Sequence, residues 1–66
     1  MTKEEFNNEI SVGDVVRIIG TDKEEDCVVQ HKTEYAVNLL TVELGPSGLP
    51  RGSFYRTYDE IISKVK

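Results

Sequence analysis

Four apolar runs rich in β-branched and aromatic residues, at 15–19, 27–30, 35–44 and 53–55, follow one another with fewer than a dozen residues between any two. A parallel crossover needs a dozen or more residues, so runs spaced this closely pair antiparallel or not at all. The chain is therefore expected to fold around one small antiparallel sheet of about four strands. Strands this short bury their apolar face only if the sheet curls on itself or a helix covers it.

The flanks supply helices. Thr2 and Glu5 stand at the capping-box spacing, and Phe6 and Ile10 fall four apart on one helical face, which predicts about two turns of helix. At the other end Thr57 and Glu60 repeat the box. Tyr58, Ile61, Ile62 and Val65 follow at i, i+3, i+4 and i+7, with Lys64 and Lys66 closing the segment. That pattern predicts a C-terminal amphipathic helix with cations at the negative end of its dipole. The expected class is α+β: a strongly bent antiparallel sheet or SH3-like barrel, with a short N-terminal helix and a C-terminal helix closing one end. A flatter sheet with both helices on one face is the second arrangement.

The connections have their own signatures. Residues 11–14 (SVGD) form a turn in which Gly13 can take positive φ. Residues 21–26 (TDKEED) read as a charged loop or hairpin turn, and residues 31–33 as a polar bend. Within 35–44 the alternation changes phase at Leu39–Leu40, which predicts a bulge near Asn38. Residues 45–52 hold three glycines and two prolines and read as an irregular loop.

A chain of 66 residues makes one domain, 1–66, and buries roughly 60% of its unfolded surface, leaving little room for an internal substrate cavity. Cys27 is the only cysteine, so no internal disulfide forms, unlike in most small secreted domains. The first ten residues lack the apolar stretch of a signal peptide, and no run approaches the length of a membrane span. The expected compartment is the cytoplasm, with no membrane partner. A small core without a covalent staple leaves a homodimer open.

Charge is uneven. Residues 1–50 carry four cations against ten acids, −6, and residues 51–66 four cations against two acids, +2, giving the net −4. An acidic chain is poorly suited to non-specific nucleic-acid binding, which depends on neutralising phosphates. No catalytic group, metal set or cofactor motif emerges. His31 and Cys27 are single, while a metal site needs three or four ligands. The 45–52 loop lacks the Gly-Lys-Ser/Thr ending of a phosphate-binding loop.

Two binding surfaces remain. One is the acid cluster Asp22, Glu24, Glu25 and Asp26 together with Leu49 on the Gly/Pro loop, suited to a protein partner. The other interleaves arginine with aromatics. Alternation puts Arg51 and Tyr55 on one face and Phe54 in the core, and Arg56, Lys32 and Tyr35 could enlarge an Arg/aromatic patch for nucleic acid.

The stretch Val12-Gly13-Asp14-Val15-Val16-Arg17-Ile18, a Gly-Asp turn entering a β-branched strand, resembles the opening of SH3-like small barrels such as KOW-type and Tudor-like modules. The likeness runs over residues 11–55. Where a KOW-type module carries a glycine-bearing turn, this chain has the acidic TDKEED. The small acidic format also resembles accessory proteins of Gram-positive prophages and mobile elements. The function expected first is a non-enzymatic protein-interaction module. The alternative is a small nucleic-acid-binding module.

Overall fold

The computed structural model describes residues 1–66. Helix α1 (Lys3–Glu9) is followed by strands β1 (Val15–Ile19), β2 (Glu24–Lys32), β3 (Ala36–Thr41) and β4 (Ser53–Thr57), a single 3₁₀ turn (Tyr58–Glu60) and strand β5 (Ile61–Lys64). The strands form one antiparallel sheet in the order β4-β3-β2-β1-β5. The sheet curls into a half-barrel. Although β3 and β2 lie between them, β4 meets the end of β1, where Arg56 donates from Nε and Nη2 to the Ile19 carbonyl at 3.3 and 3.0 Å. Gly20 makes that approach possible. A methyl group there would stand 3.3 Å from the Phe54 ring and 2.6 Å from Cγ of Glu25. The curled five-stranded sheet with one short helix is α+β and compatible with an SH3-like small barrel.

The core lies in the concavity. Val16 and Ile18 of β1, Cys27 and Val29 of β2, Val37 and Leu39 of β3, and Ile61 of β5 point inward and meet Phe6 and Ile10. Phe54 and Tyr58 pack against this cluster from its margin. Helix α1 begins as its sequence predicts. The Thr2 amide donates to Glu5 Oε1 at 3.0 Å, and the Glu5 amide to Thr2 Oγ1 at 3.1 Å. The Ser11–Asp14 turn also forms, with Gly13 at φ 97° and the Ser11 amide donating to Asp14 Oδ2.

The C-terminal segment departs from the sequence reading. There are five strands, not four, and the segment expected as a C-terminal amphipathic helix forms a 3₁₀ turn over Tyr58–Glu60 and an edge strand over Ile61–Lys64. The capping pair exists, since the Thr57 amide donates to Glu60 Oε1 at 2.9 Å, but it opens one turn only. Two turns of helix are marginal in water, and Ile61, Ile62 and Val65 are β-branched. Extended, the segment instead satisfies the backbone of β1: the Val15 amide donates to the Lys66 carbonyl, and the Val65 amide to the Val15 carbonyl, both at 2.7 Å. Arg17 pairs with Ser63 and Ile18 with Ile61, so Ile62 is an extra residue. Ile61 is buried, whereas Ile62 and Val65 are exposed.

Three further corrections follow from register. Strand β2 runs from Glu24 to Lys32, so Glu24, Glu25 and Asp26 belong to a strand and only residues 21–23 form the turn. His31 and Lys32 end that strand rather than bend away, and the bend lies at residues 33–35, where Thr33 Oγ1 accepts from the Tyr35 and Ala36 amides. A bulge does fall beside Asn38, but the extra residue is Gln30 on the partner strand, since Val29 faces Leu39 and His31 faces Asn38.

Candidate functional site

The third strand, expected to run to Leu44, ends at Thr41, and residues 42–51, including most of the segment expected as an irregular loop over 45–52, form an ordered hairpin that prolongs β3 and β4 away from the core. The Arg51 amide donates to the Glu43 carbonyl, Leu44 and Pro50 form a bridge, and the Gly45 amide donates to the Leu49 carbonyl. Pro46 presets the turn, and Gly48 takes φ 82°, the left-handed conformation that favours glycine. The base of this arm is clamped. Buried Thr41 accepts from the Gly52 amide and donates to the Glu43 carbonyl, tying both limbs. The Arg51 guanidinium bonds the buried Glu25 carboxylate and lies 3.5 Å from Glu43.

The arm carries apolar side chains that cover nothing. Val42, Leu44 and Leu49 are 50%, 58% and 65% exposed. Leu40 and Val42 lie two apart on the convex face; between the Leu40–Ser53 and Leu44–Pro50 pairs this limb holds one residue more than its partner, so the strict alternation ends before Leu44.

The acid cluster is divided by the strand. Glu25 turns inward and is buried against Arg51. Asp26 points outward and binds Arg17 Nε at 2.9 Å, and Glu24 stands 4.0 Å from the same nitrogen. Hydrogen bonding to Asp26 pushes the Arg17 guanidinium above its ordinary value. Asp22 sits exposed in the turn. Glu25 is thus withdrawn from the exposed cluster, while Glu24 and Asp26 share a cleft with Arg17 and Lys23.

The cations of the Arg/aromatic set are also engaged. Arg56 crosses the seam to Ile19, donates to the Tyr55 carbonyl at 2.8 Å and covers the Phe54 ring. Lys32 donates to Asn7 Oδ1 at 3.1 Å and stands over the Phe6 ring. Tyr35 lies beside α1, where contact with its side chain holds the Lys3 ammonium above the ordinary lysine value. Tyr55 is 64% exposed on the convex face, paired with Asn38, while Tyr35 lies three register positions away next to Tyr58. Arg51 and Tyr55 do not share a patch, because Arg51 turns toward Glu25. His31 is exposed on the convex face, while Cys27 faces the core, where burial pushes its thiol up.

Beside the arm, the convex surfaces of β2, β3 and β4 enclose a shallow cleft of about 430 Å³ whose rim is Gln30, His31, Asn38, Ser53 and Tyr55. Sequence reasoning marked Tyr55 alone of these. It named Leu49 but not Val42, Leu44 or Pro50. The available signal was the apolar alternation at 40, 42 and 44, which runs past the strand into a Gly/Pro-rich segment.

Comparison with known proteins gives no matching family model, curated protein or solved structure.

Proposed function

We propose that this chain is a non-enzymatic protein-interaction module that presents the β3–β4 arm to its partner. The observation that carries the reading is the exposure of Val42, Leu44 and Leu49 on a hairpin clamped at its base by Thr41 and Arg51. Exposed apolar groups on a preorganised ribbon lose little entropy on binding and have surface left to bury. Arg51, Arg56 and Lys32 already have intramolecular partners, which favours a protein over a phosphate backbone. The small acidic format, and the likeness of residues 12–18 to the opening of SH3-like barrels, suit a cytoplasmic accessory or inhibitory protein such as prophages and mobile elements carry.

The test is crosslinked capture from the source cell with the wild type and with Leu44→Glu/Leu49→Glu, alongside an amide NMR titration with mixed-sequence DNA and RNA. The reading expects one protein captured by the wild type and lost by the arm variant, with amide signals unmoved by nucleic acid. Salt-sensitive shifts at Tyr55 and Arg56 on adding DNA or RNA, with capture indifferent to the arm, would replace it with the nucleic-acid reading.

A further inference from the structure

The cleft beside the arm differs in chemistry from the rest of the surface. Asp, Glu, Lys and Arg make up 30% of the chain, yet none of the eight residues lining this cleft is one of them. Its rim offers two side-chain amides (Gln30, Asn38), an imidazole (His31) and two hydroxyls (Ser53, Tyr55) above an apolar floor that includes Leu40. None of the five rim side chains donates or accepts a hydrogen bond within the protein.

The bulge builds this surface. With Gln30 inserted between Val29 and His31, two consecutive residues of β2 are exposed, where a regular strand would turn one of them inward. Bulges recur where a strand must re-aim a side chain. His31, next to the insertion, pairs with Asn38, and Asn38 pairs with Tyr55, so the rim crosses three strands in one row. Tyrosine with small amide and hydroxyl side chains is the composition of antibody paratopes. There the ring gives contact area at low entropic cost and the polar groups adapt their hydrogen bonds. Strands hold these groups here instead of loops.

We infer that this cleft receives an uncharged segment of the protein partner, bound by hydrogen bonds to its backbone and polar side chains and by packing on Tyr55 and Leu40. The inference rests on the protein-interaction reading and supplies its specificity. Leu40 in the cleft floor stands two residues before the exposed Val42, so the cleft adjoins the base of the arm and one partner can span both. A charged segment would lose its hydration against a lining without a counter-charge. A nucleic-acid strand would find no cation in the cleft for its phosphates.

A random 12-residue peptide library displayed on phage and panned against the folded domain tests this directly. Selected peptides are then synthesised and titrated by amide NMR at low and at high salt. The expected result is enrichment of peptides lacking Asp, Glu, Lys and Arg at their centre, with shifts on Gln30, His31, Asn38, Ser53 and Tyr55. Their affinity should change less than about threefold with salt, as it must where no charges pair. Tyr55→Ser should weaken it about tenfold or more, the loss of one central anchor. Tyr55 and Asn38 are exposed, so these variants keep the fold, and amide dispersion verifies that. Enrichment of charged, salt-sensitive peptides, or of none, overturns the inference. So does binding that survives both Tyr55→Ser and Asn38→Ala but is lost in Leu44→Glu/Leu49→Glu, a result that leaves the arm reading standing. Capture in cells that ignores the arm variant overturns the arm reading while the peptide result stands by itself.

Discussion

The concave wall and the arm use the same residue types to opposite ends. In the wall, Val16, Ile18, Val29, Leu39 and Ile61 are all buried around Phe6. In the arm, Val42, Leu44 and Leu49 lie at least half exposed, and the backbone hydrogen bonds of residues 43–51 close only the ribbon itself. Apolar alternation therefore marks two things in this chain: a face that folding buries, and a face that folding leaves unburied but holds still. The wall sets stability, and the arm is free to serve recognition.

Substitutions in the wall should have the largest effects. Phe6→Ala should cost about 3–5 kcal/mol and Ile61→Ala about 2–5 kcal/mol, the usual losses for buried side chains of these types. A domain of this length has a total stability of roughly 3–10 kcal/mol, so either change should leave a substantial unfolded fraction in a urea titration. The Ile61 experiment also sharpens the architecture, since Ile62→Ala, one residue along the edge strand and exposed, should cost under about half a kcal/mol. Equal losses at the two positions would mean that the segment packs in some other way.

The seam between β1 and β4 comes next. Gly20→Ala forces a methyl group against Glu25 and the Phe54 ring, and overpacking of this kind costs about 1–3 kcal/mol. At the junction of wall and arm, Arg51→Ala leaves the buried Glu25 carboxylate without its partner, at a cost of about 1–3 kcal/mol. Glu25→Gln in the same background should recover part of that loss, because an amide is cheaper to bury unpaired than a carboxylate. Thermal melts of the three proteins check both statements.

The smallest effect concerns pH. The Thr2 amide and hydroxyl hold the Glu5 carboxyl below its ordinary value, so its folded pKa is depressed. A depressed carboxyl contributes stability above its unfolded pKa and loses it as pH falls through the folded value. Glu5→Gln should therefore bring the melting temperatures of variant and wild type together below about pH 4 and leave the wild type higher at neutral pH. A difference unchanged with pH would show that the capping carboxylate is not ionised in that contact.

How far the sequence could be read follows from which signals are local. The N-terminal helix and the first strand depend on neighbours in the chain: the Thr2–Glu5 box, the four-residue step from Phe6 to Ile10, and the β-branched run at 15–19. All three formed where expected. The burial of Ile61 was also legible, because an apolar residue at that spacing faces inward in either a helix or an edge strand. Its element was not, since the choice was made by the unpaired backbone of β1 some 45 residues earlier. The bulge shows the same limit. The phase change at Leu39–Leu40 located it, but only pairing shows that Gln30 on the opposite strand is the inserted residue. At the candidate site, Leu49 and Tyr55 could be named from their loop and strand contexts. The roles of Arg51 and Arg56 could not, because Glu25 and the Ile19 carbonyl reach them only once the sheet curls. The arm was hidden by its own composition, since Gly45, Pro46, Gly48 and Pro50 signal a break in structure and here build a hairpin closed by its own backbone hydrogen bonds.

Equilibrium urea unfolding of Leu44→Ser/Leu49→Ser against the wild type tests the division between wall and arm most directly. The account predicts equal slopes and a stability difference within about half a kcal/mol, the range of surface changes that remove no core contact. A loss above about 2 kcal/mol would show that the arm packs as part of the fold, and its apolar side chains would no longer be free for a partner.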